Sequence, residues 1–283
     1  MINLKLLFSQ SLTSILVALL LLCAPPSLSS RQNEIRISTP EQIRVEFDSV
    51  PCKNKDRLSA AKALFEKMGA STSEISVDEY QDVENLVVRK QGTSQEKIVV
   101  GAHYDKVSDG CGAIDNWSGI VTIAHLYRSL RDVPLKKTIL FVAFGQEEKG
   151  LIGSRAMVNA VPKDQVMQYC EMINIDSFGL AAPQVADNMS SKKLSQLTAD
   201  LAKGMKIPFG RASIFGADSD SSPFIAKKIP AITLHGLSDA WTSILHGPND
   251  KPSKVNPNSV YLGYRLVLGL VVKLDGLPCG EYR

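Results

Sequence analysis

The residues of this chain that could do chemistry sit where apolar runs end. The run "IVVGAHYDKV" (98–107) closes on His103 and Asp105, "ILFVAFGQEE" (139–148) on Glu147 and Glu148, and "MINIDSFG" (172–179) on Asp176. Between the first two, "GAIDNWSG" (112–119) carries Asp115 and Asn116, and "ILHGPND" (244–250) adds His246 and Asp250. Imidazole and carboxylate together are zinc ligands, and a catalytic zinc keeps one position open for water. Two metals about 3.5–4 Å apart need a shared carboxylate between them. Five ligands with one bridging, plus a free carboxylate as base, is the smallest set for that chemistry, and this chain has it. Taken singly, each residue has a plainer reading: Asp115 and Asn116 as helix caps, Glu147-Glu148 as a solvated turn, Asp176-Ser177 as a cap, His246 beside Gly247-Pro248 as a turn. Independent accidents would not all fall at one edge of one sheet.

Whether they share an edge depends on the elements that carry them. "DRLSAAKALFEKMGA" (56–70) spaces Leu58, Ala61, Leu64, Phe65 and Met68 as one helical face, with Gly69 as its stop. Two strand-like runs follow, "SEISV" (73–77) and "NLVVRK" (85–90). From 97 onward strands and helices alternate: strands at 97–105, 137–145, 170–179, 211–215 and 230–236, and helices at 118–130, 154–161, 192–205, 222–229 and 258–274. Strands apolar on both faces and alternating with helices predict an α/β fold: a single domain with a mixed, mostly parallel central sheet and helices on both faces. In such sheets ligands sit beyond the carboxyl ends of the strands.

Composition sets the outer bounds. The chain has 283 residues, 44% hydrophobic and 22% charged, with a net charge of +3 and no basic run, which gives no reason to expect nucleic-acid binding. The apolar stretch Ile15–Leu22 is too short for a membrane-spanning helix, which needs roughly 20 residues. Pro25 and Pro26 follow it, then the small residues of Ser27-Leu28-Ser29. Residues 1–29 therefore read as a secretory signal peptide and 30–283 as the catalytic domain, secreted or periplasmic, with no stable membrane insertion once the signal is removed. Four cysteines remain: Cys52, Cys111, Cys170 and Cys279. Three pairings are possible, but Cys170 begins a strand while Cys111 follows the end of another. Parallel strands would hold them about 20 Å apart, beyond the roughly 7 Å limit for a disulfide.

In order and spacing, "GAHYD", "GAIDNWSG", "EEKGLIGS", "NIDSFG", "SDSSPF" and "HGPND" resemble the exported di-zinc aminopeptidases of metallopeptidase clan MH, the leucyl-aminopeptidase-like enzymes, from about Glu84 to the C-terminus. The resemblance implies two zinc ions per chain, with cobalt or manganese as alternatives, and peptide or protein N-termini as substrate. It makes Asp115 the bridging carboxylate, His103 and Asp176 the remaining ligands of one metal, and Glu148 and His246 those of the other. Glu147 becomes the general base. Asp105 becomes the carboxylate that fixes the tautomer of His103, as outer carboxylates do for metal-bound imidazoles. A cis peptide at Asp115–Asn116 is also implied.

The chain departs from the family pattern in places. Trp117 replaces a small residue and is expected to pack over or narrow the site. Leu245 stands where some relatives have a tyrosine that helps stabilise the oxyanion, and Ser221 where "SDHxPF" relatives have histidine. His235 competes with His246 as a ligand, and the "HGPND" context favours His246. His125, mid-helix, reads as a packed or surface residue, and Cys111 as a disulfide partner or buried thiol before a ligand. The pocket lining is expected from the loops 209–220 and 238–245. Alternative readings are a single-zinc glutaminyl cyclase-like or carboxypeptidase relative on the same fold, or a metal-free binding module. Both proposed ligand sets are present, which favours two metals and hydrolysis.

Overall fold

A computed structural model describes residues 35–283; the expected signal peptide lies outside them. Eight strands form one sheet: β1 (Ile75–Tyr80), β2 (Val83–Lys90), β3 (Lys97–His103), β4 (Thr138–Phe144), β5 (Tyr169–Ile175), β6 (Gln184–Ala186), β7 (Gly210–Ala212) and β8 (Ala231–His235), in spatial order β1-β2-β4-β3-β5-β8-β6-β7. The four central strands β4, β3, β5 and β8 are mutually parallel. Antiparallel pairing joins β1 to β2, β2 to β4 and β6 to β8. The fold is therefore α/β with a mixed, mostly parallel sheet, as the alternation of elements predicts.

Side chains alternate between the two faces of each strand, and both faces are covered. Ile98, Val100 and Ala102 of β3 join a core with α1 (Pro40–Arg44), α2 (Asn54–Lys67), α3 (Ser118–Leu130) and α7 (Pro257–Asp275), to which α5 (Lys192–Gly204) contributes Leu194. Val99 faces the other way, into a smaller core with Met157 and Val158 of α4 (Ile152–Ala160) and Phe224 of α6 (Ser221–Ala226). Helix α1 is not foreseen from apolar spacing. Its five residues are held by a capping box, in which Thr39 and Gln42 each accept the other's backbone N–H. The strand expected at 211–215 stops at Ala212, and Ile214 and Phe215 lie in a loop. Among the described residues no helix is long and apolar enough to cross a membrane.

Two disulfides, Cys52–Cys111 and Cys170–Cys279, use all four cysteines after residue 29. Cys111 and Cys170 are not paired, consistent with their opposite places along parallel strands.

Candidate metal centre

Parallel pairing brings the strand ends to a common edge. His103 is the last residue of β3, Asp176 follows β5, and Glu147 and Glu148 follow β4 through Gly145-Gln146. Asp115 sits in the turn before α3, with non-helical backbone angles at Asp115 and Asn116 and a cis peptide between them. That turn is pressed onto the sheet. A Cβ added at Gly119 would lie 2.8 Å from the Ala102 Cβ and 2.8 Å from the Ile175 carbonyl, so only glycine allows α3 to start this close. Asn116 completes the junction. Its Nδ2 donates to the Ile175 carbonyl at 2.8 Å and its Oδ1 accepts the N–H of Gly119 at 3.0 Å.

The two oxygens of Asp115 face two different imidazoles. Oδ1 is 3.1 Å from His103 Nε2, and Oδ2 is 3.0 Å from His246 Nε2. Asp176 Oδ1 lies 3.6 Å from the same His103 nitrogen, and Glu148 Oε2 lies 3.4 Å from that of His246. Possible ligand atoms thus gather as His103–Asp115–Asp176 and as Asp115–Glu148–His246, with Asp115 common to both; His103, Glu147 and Glu148 also meet at similar range. His235 joins none of these groups among the described residues. It is buried, and its Nδ1 accepts the N–H of Leu237 at 3.3 Å. His125 is a buried structural residue whose Nδ1 meets the Ser38 hydroxyl at 2.8 Å.

Around this cluster lies a layer that fixes its backbone. The Asp105 carboxylate is 3.6 Å from His103 Nδ1, and the Asp105 carbonyl is closer at 3.2 Å. The carboxylate's own hydrogen bonds come from the N–H groups of Glu147 at 2.9 Å and Glu148 at 3.2 Å. Asp105 therefore couples the end of β3 to the glutamate pair. Asp250 accepts from the N–H groups of Ile114 at 2.7 Å and Asp115 at 3.1 Å. Ser219 donates to Asp176 Oδ2 at 2.6 Å.

Arg57, on α2, is fully buried. It donates to the carbonyls of Tyr104, Pro51, Cys111 and Gly112, and its guanidinium stacks 5.3 Å from the Trp117 ring centre. Trp117 consequently belongs to the core behind the site and neither covers nor narrows it, contrary to the expectation from sequence. Ser221 likewise points inward, donating to the Met189 carbonyl at 2.8 Å. The "SDSSPF" motif marked the stretch that holds Ser219, whereas nothing in the sequence singled out Arg57.

The electrostatics of the cluster call for cations. Burial, together with the carboxylates of Asp176, Asp220 and Asp115, raises Glu147 to about 10 against the pull of His103. Burial and Asp115 raise Glu148 to about 7, and burial raises Asp220 to about 7. The hydrogen bond to Asp115 lifts His246 to about 9. Burial opposes a charge on His103, but Glu147, Asp105, Asp115 and Asp176 outweigh it and hold His103 well above the ordinary range. Buried Oε1 of Glu148 and both oxygens of Asp220 have no hydrogen-bond partner. An excess of buried anionic oxygens, mixed with imidazole nitrogens, fits divalent metals that accept N and O ligands.

The cluster opens into a cavity of about 440 Å³. Its apolar lining comes from the two expected loops, through Ile214, Phe215, Trp241 and Leu245, together with Met189 and Leu237.

An α/β sheet that gathers imidazoles and carboxylates at its carboxyl edge presents a donor set suited to divalent metals. The chain belongs to Peptidase family M28, whose model matches residues 85–271. It is 26% identical over 246 residues to a probable leucine aminopeptidase 2 of Arthroderma benhamiae, covering 75% of this chain and 50% of that one. The chain thus spans about half the length of the curated relatives it matches. Its fold is similar to that of a zinc aminopeptidase from Bacillus subtilis, with TM-score 0.61, 23% identity, and 70% of this chain and 52% of that chain covered. It is also similar to an Acidobacteriales bacterium glutaminyl cyclase, with TM-score 0.73, 17% identity, and 86% and 97% covered.

Proposed function

We propose that the protein is an exported zinc-dependent aminopeptidase that hydrolyses the first peptide bond of peptides or proteins. The observation that carries this reading is Asp115, whose two carboxylate oxygens each face a separate imidazole, at 3.1 and 3.0 Å. His103, Asp115 and Asp176 would hold one zinc, and Asp115, Glu148 and His246 the other. Paired zinc ions lower the pKa of a water toward neutrality and polarise a carbonyl. Glu147, beside the cluster, is the general base: bound cations would offset the burial and neighbouring carboxylates that raise it, leaving an ionised carboxylate that takes a proton from the attacking water and returns it to the leaving amine. Asp105 is a positioning residue in this scheme, holding the glutamate backbone while facing His103 Nδ1. The carboxylates near the metals hold the substrate's free α-amine, which restricts cleavage to the first residue. The buried part of the apolar lining, Met189, Leu237 and Leu245, receives that residue's side chain.

Export is supported by the signal-like residues 1–29 and by two disulfides, which persist in oxidising compartments. The likeness to the glutaminyl cyclase concerns the fold, and two metal-sized ligand groups support hydrolysis with two ions rather than one.

The test is zinc content of the purified protein measured beside cleavage of leucine p-nitroanilide. The expected outcome is near two zincs per chain, with activity lost to chelator and regained on adding zinc. One zinc without peptidase activity would transfer the reading to a cyclase, and no metal at all to a binding module.

A further inference from the structure

Phe215 is the most exposed large apolar side chain among the described residues, at 89%. It is not on a remote surface, because it lines the same cavity as the metal-binding cluster. A single exposed apolar residue needs no explanation by itself. Here the loop that presents it is tied down on both sides. Before it, Ile214 exchanges two hydrogen bonds with the Asn188 side chain, its N–H donating to Oδ1 at 2.9 Å and its carbonyl accepting from Nδ2 at 3.0 Å. Ile214 also packs on the cluster of Leu237 and Leu245. After it, Ser219 donates to Asp176 at 2.6 Å and accepts from Asn174 Nδ2 at 2.6 Å. Gly216 makes the turn between, at φ +80°, with nothing within 4 Å of an added Cβ. The aromatic ring is thus held in water at the rim of the site by a loop whose two ends are fixed, one of them to a ligand candidate.

The cavity has two apolar parts. One is formed by Met189, Leu237 and Leu245, all buried, and in the proposed reading it takes the side chain of the first substrate residue. The other is Phe215, exposed on the same lining, and in that reading it stays in water unless the substrate continues past the scissile bond.

We infer that Phe215 is a specificity-determining residue that packs on the side chain of the second substrate residue, selecting peptides in which that residue is bulky and apolar. This rests on the aminopeptidase reading for which end of the substrate enters. Covering an exposed aromatic ring with apolar surface removes both from water, and a half-covered ring is worth about tenfold in affinity. The contact is equally available before and during bond cleavage, so its effect falls on KM and leaves kcat unchanged.

The experiment compares zinc-loaded wild type with Phe215→Ala on three substrates: leucinamide, Leu-Gly and Leu-Phe. Wild type should favour Leu-Phe over Leu-Gly through KM. The variant should raise KM for Leu-Phe about tenfold, leave leucinamide unchanged in both constants, and keep its zinc content and Tm. Equal ratios among the three substrates in the two proteins would overturn the inference. Failure of wild type to cleave leucinamide would instead remove the aminopeptidase reading. Calorimetric titration of Leu-Phe and Leu-Gly into zinc-loaded Glu147→Gln protein, with and without Phe215→Ala, then decides the role of Phe215: selective weakening of Leu-Phe by Phe215→Ala supports it, and equal binding overturns it.

Discussion

Asp250 holds Asp115 through the backbone: its Oδ2 accepts the Asp115 N–H at 3.1 Å while Oδ1 accepts that of Ile114 at 2.7 Å. The residue that presents one carboxylate oxygen to each imidazole is therefore itself aimed by a second carboxylate. Asp250→Asn keeps the shape but turns one acceptor into a donor, facing an N–H. Outer-shell changes of this kind cost roughly 10- to 100-fold in metal affinity. Zinc titration against a chelating indicator should show that loss, with the far-ultraviolet circular dichroism unchanged. Wild-type affinity in the variant would mean that the turn needs no such anchor.

Glu147→Gln addresses the base rather than the ligands. It should retain both zincs and lose turnover by roughly 10²-fold or more, since the amide cannot accept the proton. Loss of a metal together with activity would make Glu147 a ligand, as its proximity to His103 and Glu148 allows.

The central strands were legible because they are buried on both faces, so continuous apolar runs such as 98–102 admitted little else. Once they were parallel, His103, Glu147, Glu148 and Asp176 had to share an edge. Short elements were not legible. β6 has three residues and exists through its pairing with β7 and β8, and "RASIF" reads as a strand although pairing stops at Ala212. The supporting layer was hidden for a related reason. Arg57 meets carbonyls up to 55 residues away, and Asp250 meets Ile114 across 136. Neither distance leaves a local pattern. Trp117 stands where a small residue is common, which suggests a ring over the site, yet the indole turns inward under Arg57 and joins the core.

Arg57→Met should destabilise the fold. Four backbone carbonyls lose their donor, and Met can replace none of those bonds. Burial lowers the guanidinium to about 10, with Asp105, Asp115, Asp250 and Glu148 sustaining its charge, so it remains a cation at neutral pH facing an anionic site. Leaving a buried acceptor without its donor costs about 1–3 kcal/mol, and the whole change should exceed that of a single ordinary hydrogen bond. Urea unfolding of the zinc-loaded proteins would measure it. A difference below about 1 kcal/mol, the worth of one ordinary hydrogen bond, would show that the carbonyls find other partners.

Glu171, on β5, predicts a pH dependence unrelated to the metals. It is fully buried, and neither carboxylate oxygen has a hydrogen-bond partner. Lys137, which lowers its pKa, spends its own donors on the carbonyls of Leu274 and Leu277. Burial wins and raises Glu171 from 4.5 to about 7. The folded state thus holds this proton more tightly than the unfolded chain. Its contribution is fully present below pH 4.5 and is lost as pH rises through 7, to a limit of about 3 kcal/mol. Glu171→Gln removes the ionisation at nearly constant volume. With zinc in excess, the variant's Tm relative to wild type should rise between pH 5 and pH 8. Parallel Tm curves across that range would mean that Glu171 ionises at no cost to the fold.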